Sequence, residues 1–423
     1  MKAVVLALFA GIVVCFCVQP VSAGEPAEYS ETVLHSFGNF PDGQQPLAGV
    51  IDGNGVLYGT TYAGGKQGCD SGCGTVFSVD PKTGAEKVLY SFGDTLNDVN
   101  PEDSLIDVKG SLYGTTSGGD TGVGTVFAID PNTNDEKTLY TFCRRQNCAD
   151  GYVPDAGLID VKGRLYGTTF WGGGVADCGE FGCGTVFSLD GNVGGEKVLH
   201  AFCSQPNCAD GSEPFAGLID VNGVLYGTTY AGGGTGCNGY GCGTVFSLDP
   251  KTGSETMLHD FGGVPDGANP QAALIDVNGI LYGTTTLGGV GDCLSPGSGC
   301  GTVFSLDPNT GAEKVVYTFC SRPHCGDGGE PGSVINVNGT LYGTTFVGGK
   351  SKGCDNAGCG TVFSLDPNTG TEKVLYAFCS QPKCADGEFP ERDLIDVRGT
   401  FYDTTVAGGA YNYGTVFMLK KTR

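Results

Sequence analysis

Residues 214–261 read PFAGLIDVNGVLYGTTYAGGGTGCNGYGCGTVFSLDPKTGSETMLHDF, and this stretch decides the fold. Ala216 to Val221 is a short apolar run that suits a strand. Asn222-Gly223 follows. Both residues tolerate positive φ, which makes this pair the strongest two-residue hairpin signal. Val224 to Tyr230 is rich in β-formers and predicts a second strand. A Gly-rich loop with two cysteines separates it from a third, Gly243 to Asp249. Pro250-Lys251-Thr252-Gly253 makes a tight turn, and Glu255 to Phe261 supplies a fourth strand. Four antiparallel strands per unit is the pattern of a propeller blade.

The unit recurs along the chain. Its Leu-Tyr-Gly-Thr-Thr segment places tyrosines at Tyr58, Tyr113, Tyr166, Tyr226, Tyr282, Tyr342 and Tyr402, the last copy reading Phe401-Tyr402-Asp403-Thr404-Thr405. Third strands begin at Gly74, Gly124, Gly184, Gly243, Gly301, Gly360 and Gly414. Glu31 to Phe37 matches a fourth strand, whereas the chain ends on a third, Gly414 to Lys420. The N-terminal strand is therefore expected to complete the last blade, which removes the exposed edges of an open array. The predicted fold class is all-β: a seven-bladed β-propeller with four antiparallel strands per blade, forming one domain over residues 24–423. Connections 1–2 and 3–4 of each blade fall on one face and are short. Connections 2–3 and 4–1 fall on the other and are long, so function is expected there.

Lys2, the apolar run Ala3 to Val18 and Val21-Ser22-Ala23 read as a signal peptide over residues 1–23. That run is short for a membrane span, and no later segment is apolar for long enough, so a secreted protein without a membrane span is expected. Twenty-three basic residues against 46 acidic ones give a net charge of −23, which repels phosphate backbones and disfavours nucleic acid as a partner. A monomer is expected. Twenty cysteines, less Cys15 and Cys17 in the leader, leave nine close pairs. Five precede a third strand: Cys69/Cys73, Cys178/Cys183, Cys237/Cys242, Cys293/Cys300 and Cys354/Cys359. Four follow a fourth strand: Cys143/Cys148, Cys203/Cys208, Cys320/Cys325 and Cys379/Cys384. An even count in local pairs predicts disulfides, all on the long-loop face. The rival, structural zinc, prefers Cys-x2-Cys knuckles in fours.

The Leu-Tyr-Gly-Thr-Thr, Gly-Gly, Gly-Thr-Val-Phe and Asp-Pro-x-Thr-Gly segments resemble the GloVer (Gloeobacter/Verrucomicrobia) tandem repeats of secreted or anchored bacterial proteins. The resemblance covers nearly all of the chain after the leader and implies fold and export, not an activity. Gly-Gly after strand two also looks like kelch repeats. Those carry a later Trp, and this chain has only Trp171, so a kelch-like shape without kelch membership is expected.

Repeated residues are read as architecture. Asp42, Asp150, Asp210, Asp266, Asp327 and Asp386 each open an Asp-Gly turn before the innermost strand. The alternative is a carboxylate ring near the channel mouth that holds calcium. No other cofactor is evident. His35, His200 and His259 replace Tyr on outer strands and are read as packing, and His324 sits within a cysteine loop. No His-Glu-x-x-His or phosphate loop occurs.

Residues that break the repeat carry more information. Glu102-Asp103 in blade two, Asp155 in blade three and Glu391-Arg392-Asp393 in blade seven put charge where other copies read Leu-Ala-Gly or Phe-Ala-Gly. In a closed ring they are expected on one sector of the channel entrance, as candidates for acid/base chemistry or a metal, or as solvated charge. Trp171 with Phe170 and Phe181, near Arg144 and Arg145, suits sugar stacking, the alternative being apolar packing under a loop. Three readings follow: a binding module for extracellular glycans or proteins, a glycoside hydrolase or polysaccharide lyase, and a structural matrix protein. Asn338-Gly339-Thr340 is a glycosylation sequon in a eukaryotic secretory pathway.

Overall fold

A computed structural model describes residues 28–422, apart from positions 67, 70, 94, 96, 120, 121, 175–177, 179, 180, 192, 193, 235, 294–296, 351–353, 355, 356 and 392. The leader read in residues 1–23 and the candidate Arg392 lie outside the described residues.

Each repeat forms one antiparallel sheet. In blade four the strands are Ile219–Val221, Val224–Thr229, Thr244–Asp249 and Ser254–Asp260, paired in chain order. The innermost strand is shorter than the apolar run predicts, because Ala216 to Leu218 lie outside the ladder. Asn222-Gly223 has positive φ at both residues, as the two-residue hairpin requires. Blade seven closes as expected: Tyr29–Ser36 pairs with Thr415–Lys421 from Tyr29 opposite Lys421 to Ser36 opposite Thr415. The chain is a seven-bladed β-propeller. Helical structure among the described residues is confined to single turns.

The repeat motif explains the packing. The two hydroxyls that end Leu-Tyr-Gly-Thr-Thr and begin the third strand meet in every blade, as in Thr61 and Thr75 at 2.8 Å. The Phe after each outer strand packs edge-on against the third-strand Phe of the next blade. Phe37–Phe77, Phe202–Phe246 and Phe378–Phe417 have centroids 5.0–5.1 Å apart, and the other four seams repeat the pair. The glycine of the motif leaves room for that ring: a Cβ at Gly227 would stand 2.7 Å from Cζ of Phe246.

All nine cysteine pairs are disulfides, with Cα atoms 3.9–5.5 Å apart. They are Cys69–Cys73, Cys143–Cys148, Cys178–Cys183, Cys203–Cys208, Cys237–Cys242, Cys293–Cys300, Cys320–Cys325, Cys354–Cys359 and Cys379–Cys384. In blades three and five two bridges lie side by side. The four sulfurs of Cys178, Cys183, Cys203 and Cys208 are within 4.8 Å of one another, as are those of Cys293, Cys300, Cys320 and Cys325.

One partner of several of these bridges is buried. Cys73 and Cys242 are each only 1% exposed. Cys73 belongs to an apolar cluster with Val76 and Phe92, and Cys242 to one with Val245 and Phe261. The reason is their place in the chain: each immediately precedes the glycine that starts a third strand, so its backbone already lies within the blade. Their carbonyls accept from Asn100 N at 2.9 Å and Asn269 N at 2.8 Å, both on the segment that leads into the next blade. Cys148 differs in another way. It is half-buried and has φ of 47°, a region that non-glycine residues seldom adopt. Its carbonyl accepts from Gly151 N and Gly173 N at 2.9 and 3.0 Å, which holds that conformation. These bridges therefore anchor the loops to the blades. No helix among the described residues is long and apolar enough to cross a membrane.

Candidate functional site

The segments leading into the innermost strands surround the channel mouth. They enclose a pocket of about 270 Å³. Glu102, Asp103, Asp155, Glu391 and Asp393 all line it, together with Phe215 and Gln271. The structure thus brings five of the six charged candidates together. The disulfide cysteines, Cys73, Cys148 and Cys242 among them, do not line this pocket.

Two of these carboxylates tie blades to one another. Asp393 of blade seven accepts from Ser104 Oγ of blade two at 2.6 Å and from Ser333 Oγ of blade six at 3.4 Å. Asp103 accepts from its neighbour Ser104 N and from Gly157 N of blade three, both at 2.6 Å. Glu391 is buried, and its backbone is held by Thr344 Oγ1 and by the Thr404 carbonyl.

Sequence reasoning identifies Asp403 as a variant but does not place it in the site. It stands where the other blades carry the motif glycine, and it is fully buried. Thr404 N donates to one of its oxygens at 2.8 Å, while Oδ2 has no hydrogen-bond partner. Burial pushes this carboxyl well above the usual range, and the nearby Asp393 and Glu391 push it further. An acid at a position that is glycine in six of seven repeats was the available signal.

The aromatic candidates form a ledge on the same face. Tyr152, Trp171 and Phe181 are mutually near-parallel, with centroids 5.3–5.8 Å apart. Phe181 is 50% exposed. Phe170 tilts against Trp171 at 5.2 Å and meets Phe215 edge-on at 5.7 Å, so the rings run from the ledge to the pocket wall. Tyr152 was not among the candidates, because its place in the sequence is a turn remote from Trp171. The arginines are engaged elsewhere: Arg145 pairs with Glu196 at 2.9 Å, and Arg144 lies over the Tyr140 ring at 4.9 Å. Both partners belong to the outer-strand region, not to the ledge.

The Asp-Gly carboxylates do not line the channel-mouth pocket. They sit at the seams between blades and accept backbone amides, as Asp150 does from Arg144 N and Arg145 N. Their third partner is the outer-strand Tyr or His: Tyr140, Tyr317 and Tyr376 donate at 2.7–2.8 Å, and His35 and His200 lie at 3.2 Å. The histidines also pack edge-on against the neighbouring Phe, as read from sequence. His324 is exposed in its cysteine loop with φ of 58°.

The Gloeobacter/Verrucomicrobia repeat family model matches residues 22–180 and 173–417. The chain belongs to this family. No curated protein matches the sequence of this repeat protein. Among solved structures it is similar to an oligogalacturonate lyase from Vibrio parahaemolyticus, at 9% identity and TM-score 0.49 over 92% of this chain and 93% of that one. A putative 6-phosphogluconolactonase from Bacteroides fragilis shares 16% identity, TM-score 0.48, over 83% and 88%. An oligogalacturonate lyase in complex with manganese shares 11%, TM-score 0.47, over 94% and 95%.

Proposed function

We propose that this repeat protein is an extracellular binding module for neutral glycans, which it holds across its long-loop face. The observation that carries the reading is the continuous run of rings from Phe181 through Trp171 and Phe170 to Phe215, ending at an acidic pocket. Sugar rings stack their C–H faces on flat aromatic surfaces, and carboxylates accept hydrogen bonds from hydroxyls. The net charge of −23 favours neutral over anionic chains. Nine disulfides suit an oxidising compartment and rigidify the loops that carry the ledge.

The test is a panel of polysaccharides scored together for retained protein and released fragments. Retention without fragments, weakened about tenfold or more by Trp171→Ala, supports the module. Retention unchanged by Trp171→Ala sinks this site. A second reading, glycoside cleavage, is favoured by Asp403: a buried carboxyl whose proton affinity is raised by burial stands behind Glu391 and Asp393 of the pocket. Released fragments that disappear in Glu391→Gln, with retention intact, would select it.

A further inference from the structure

Each seam between blades is built from three positions. One is the outer-strand Tyr or His, which directly follows a β-bulge. Bulges re-aim the side chains beside them, and here the side chain meets the Asp of the Asp-Gly turn. The third is the Glu near the start of the next blade's outer strand, such as Glu196 in the Tyr140 seam.

We propose that two of these seams are binding sites for a zinc-type divalent cation, one made by His35, Asp42 and Glu86 and the other by His259, Asp266 and Glu313. In each, one imidazole nitrogen and two carboxylate oxygens lie within 4.8 Å of one another. His35 Nε2 is 3.2 Å from Asp42 Oδ2, and His259 Nε2 is 3.4 Å from Asp266 Oδ2. Oε1 of Glu86 and Oε1 of Glu313 are buried without a hydrogen-bond partner, as is His259 Nε2. Zinc takes imidazole nitrogen and carboxylate oxygen at about 2.0–2.2 Å, so tetrahedral ligands lie roughly 3.3–3.6 Å apart. Drawing the three groups in by about 1 Å reaches that geometry. The side chains of His35 and Asp42 are 19% and 20% exposed, which leaves an entry path and a fourth position for water. Calcium, which wants six to eight oxygens, fits three mixed ligands poorly.

The sister seams show why only these two qualify. Both are built on Phe-Gly-x-x-Pro-Asp-Gly, Phe37 to Gly43 and Phe261 to Gly267, instead of a cysteine loop. In the Tyr140 and Tyr317 seams a phenol replaces the imidazole, and Arg145 or Arg322 already pairs with the glutamate. No cationic side chain pairs with Glu86 or Glu313 among the described residues. Asp42 and Asp266 each accept two backbone amides; in the His200 seam Ser204 Oγ adds a third donor to the two amides on Asp210, whose side chain is fully buried. That trio does not bring three ligand atoms within 4.8 Å.

The test uses the full chain with its disulfides intact by thiol count, stripped with chelator and titrated with zinc chloride. Bound metal is read by calorimetry and by elemental analysis after desalting. Two zinc ions per chain are expected. His35→Tyr and His259→Tyr should each remove one, the double variant both, and His200→Tyr none. Tyr is the residue that sister seams use, so these variants should fold, and a thermal melt checks that they do. No retained zinc at micromolar metal, or two ions still bound by the double variant, overturns the proposal.

Discussion

Ser104 and Asp393 are 289 residues apart in the chain, yet their side chains meet at 2.6 Å across the channel mouth. Blade one lies between the blades that carry them, and Gly49 of that blade stands against Asp393, where a Cβ would come within 2.8 Å of the Asp393 Cβ. The contact therefore spans three blades near the point where the ring closes. A hydrogen bond to a carboxylate contributes about 1.5–3 kcal/mol. Asp393→Ala should lower unfolding stability by roughly that amount. Asp393→Ser, which keeps an acceptor but is too short, should lose nearly as much. Chemical denaturation of the purified variants checks both, and an unchanged midpoint in both would show that the bridge contributes nothing.

Asp403 predicts a change in the opposite direction. Its buried carboxyl has an unmatched oxygen, and six sister blades carry glycine at its place. Asp403→Gly should stabilise the fold by about 1–3 kcal/mol, the usual penalty of a buried unmatched polar group. A carboxyl raised in the folded state adds stability at low pH and loses it as pH rises. The gain from Asp403→Gly should therefore grow as pH rises above the usual carboxylate range. A destabilised variant would mean that the carboxyl has a partner important to the fold.

The tyrosine seams give a pH dependence to the whole ring. Burial holds the Glu31 carboxyl up at about 8, with Asp386 pushing the same way. Burial likewise holds Glu196 and Glu372 at about 7, against the pull of Arg145 and Arg322. Each group binds its proton more tightly folded than unfolded. Its stabilisation is complete below the unfolded pKa near 4.5 and is lost as pH rises through 7 to 8. The melting temperature should fall between about pH 5 and about pH 8.5. Glu31→Gln should flatten that fall, and a melting temperature that rises over this window would refute the assignment.

The disulfides should matter more to the loops than to the ring. Each closes a separation of only 4–7 residues. Chain entropy then gives at most about 2 kcal/mol per bridge. Reduction should leave the far-ultraviolet β signal intact while the long-loop face becomes protease-sensitive. Loss of the β signal on reduction alone would assign the bridges a larger share of the fold, through buried partners such as Cys73 and Cys242.

Much of this molecule was legible in the sequence. Strand order, hairpin turns and closure by Tyr29–Ser36 rest on a side-chain period of two, on Asn-Gly and Pro-x-Thr-Gly turn chemistry and on counting strands. The disulfides are likewise local pairs, although the burial of Cys73 and Cys242 and the positive φ of Cys148 depend on how the loops meet the blades. The gathering of Glu102, Asp103, Asp155, Glu391 and Asp393 at one pocket followed from ring closure, because equivalent positions of every blade face one axis.

What the chain by itself determined is therefore the blade, its number of copies and the way they close. Tertiary structure alone decided which side chains touch across seams. A bulge before His35 or Tyr140 sets where that side chain points, and its partner Glu comes from the next blade. The same geometry turned Arg144 and Arg145 away from Trp171, brought Tyr152 to it, and buried Asp403 behind the pocket. Local periodicity fixes the backbone ladder. Direction at a bulge and distance between blades are fixed only once the ring has formed.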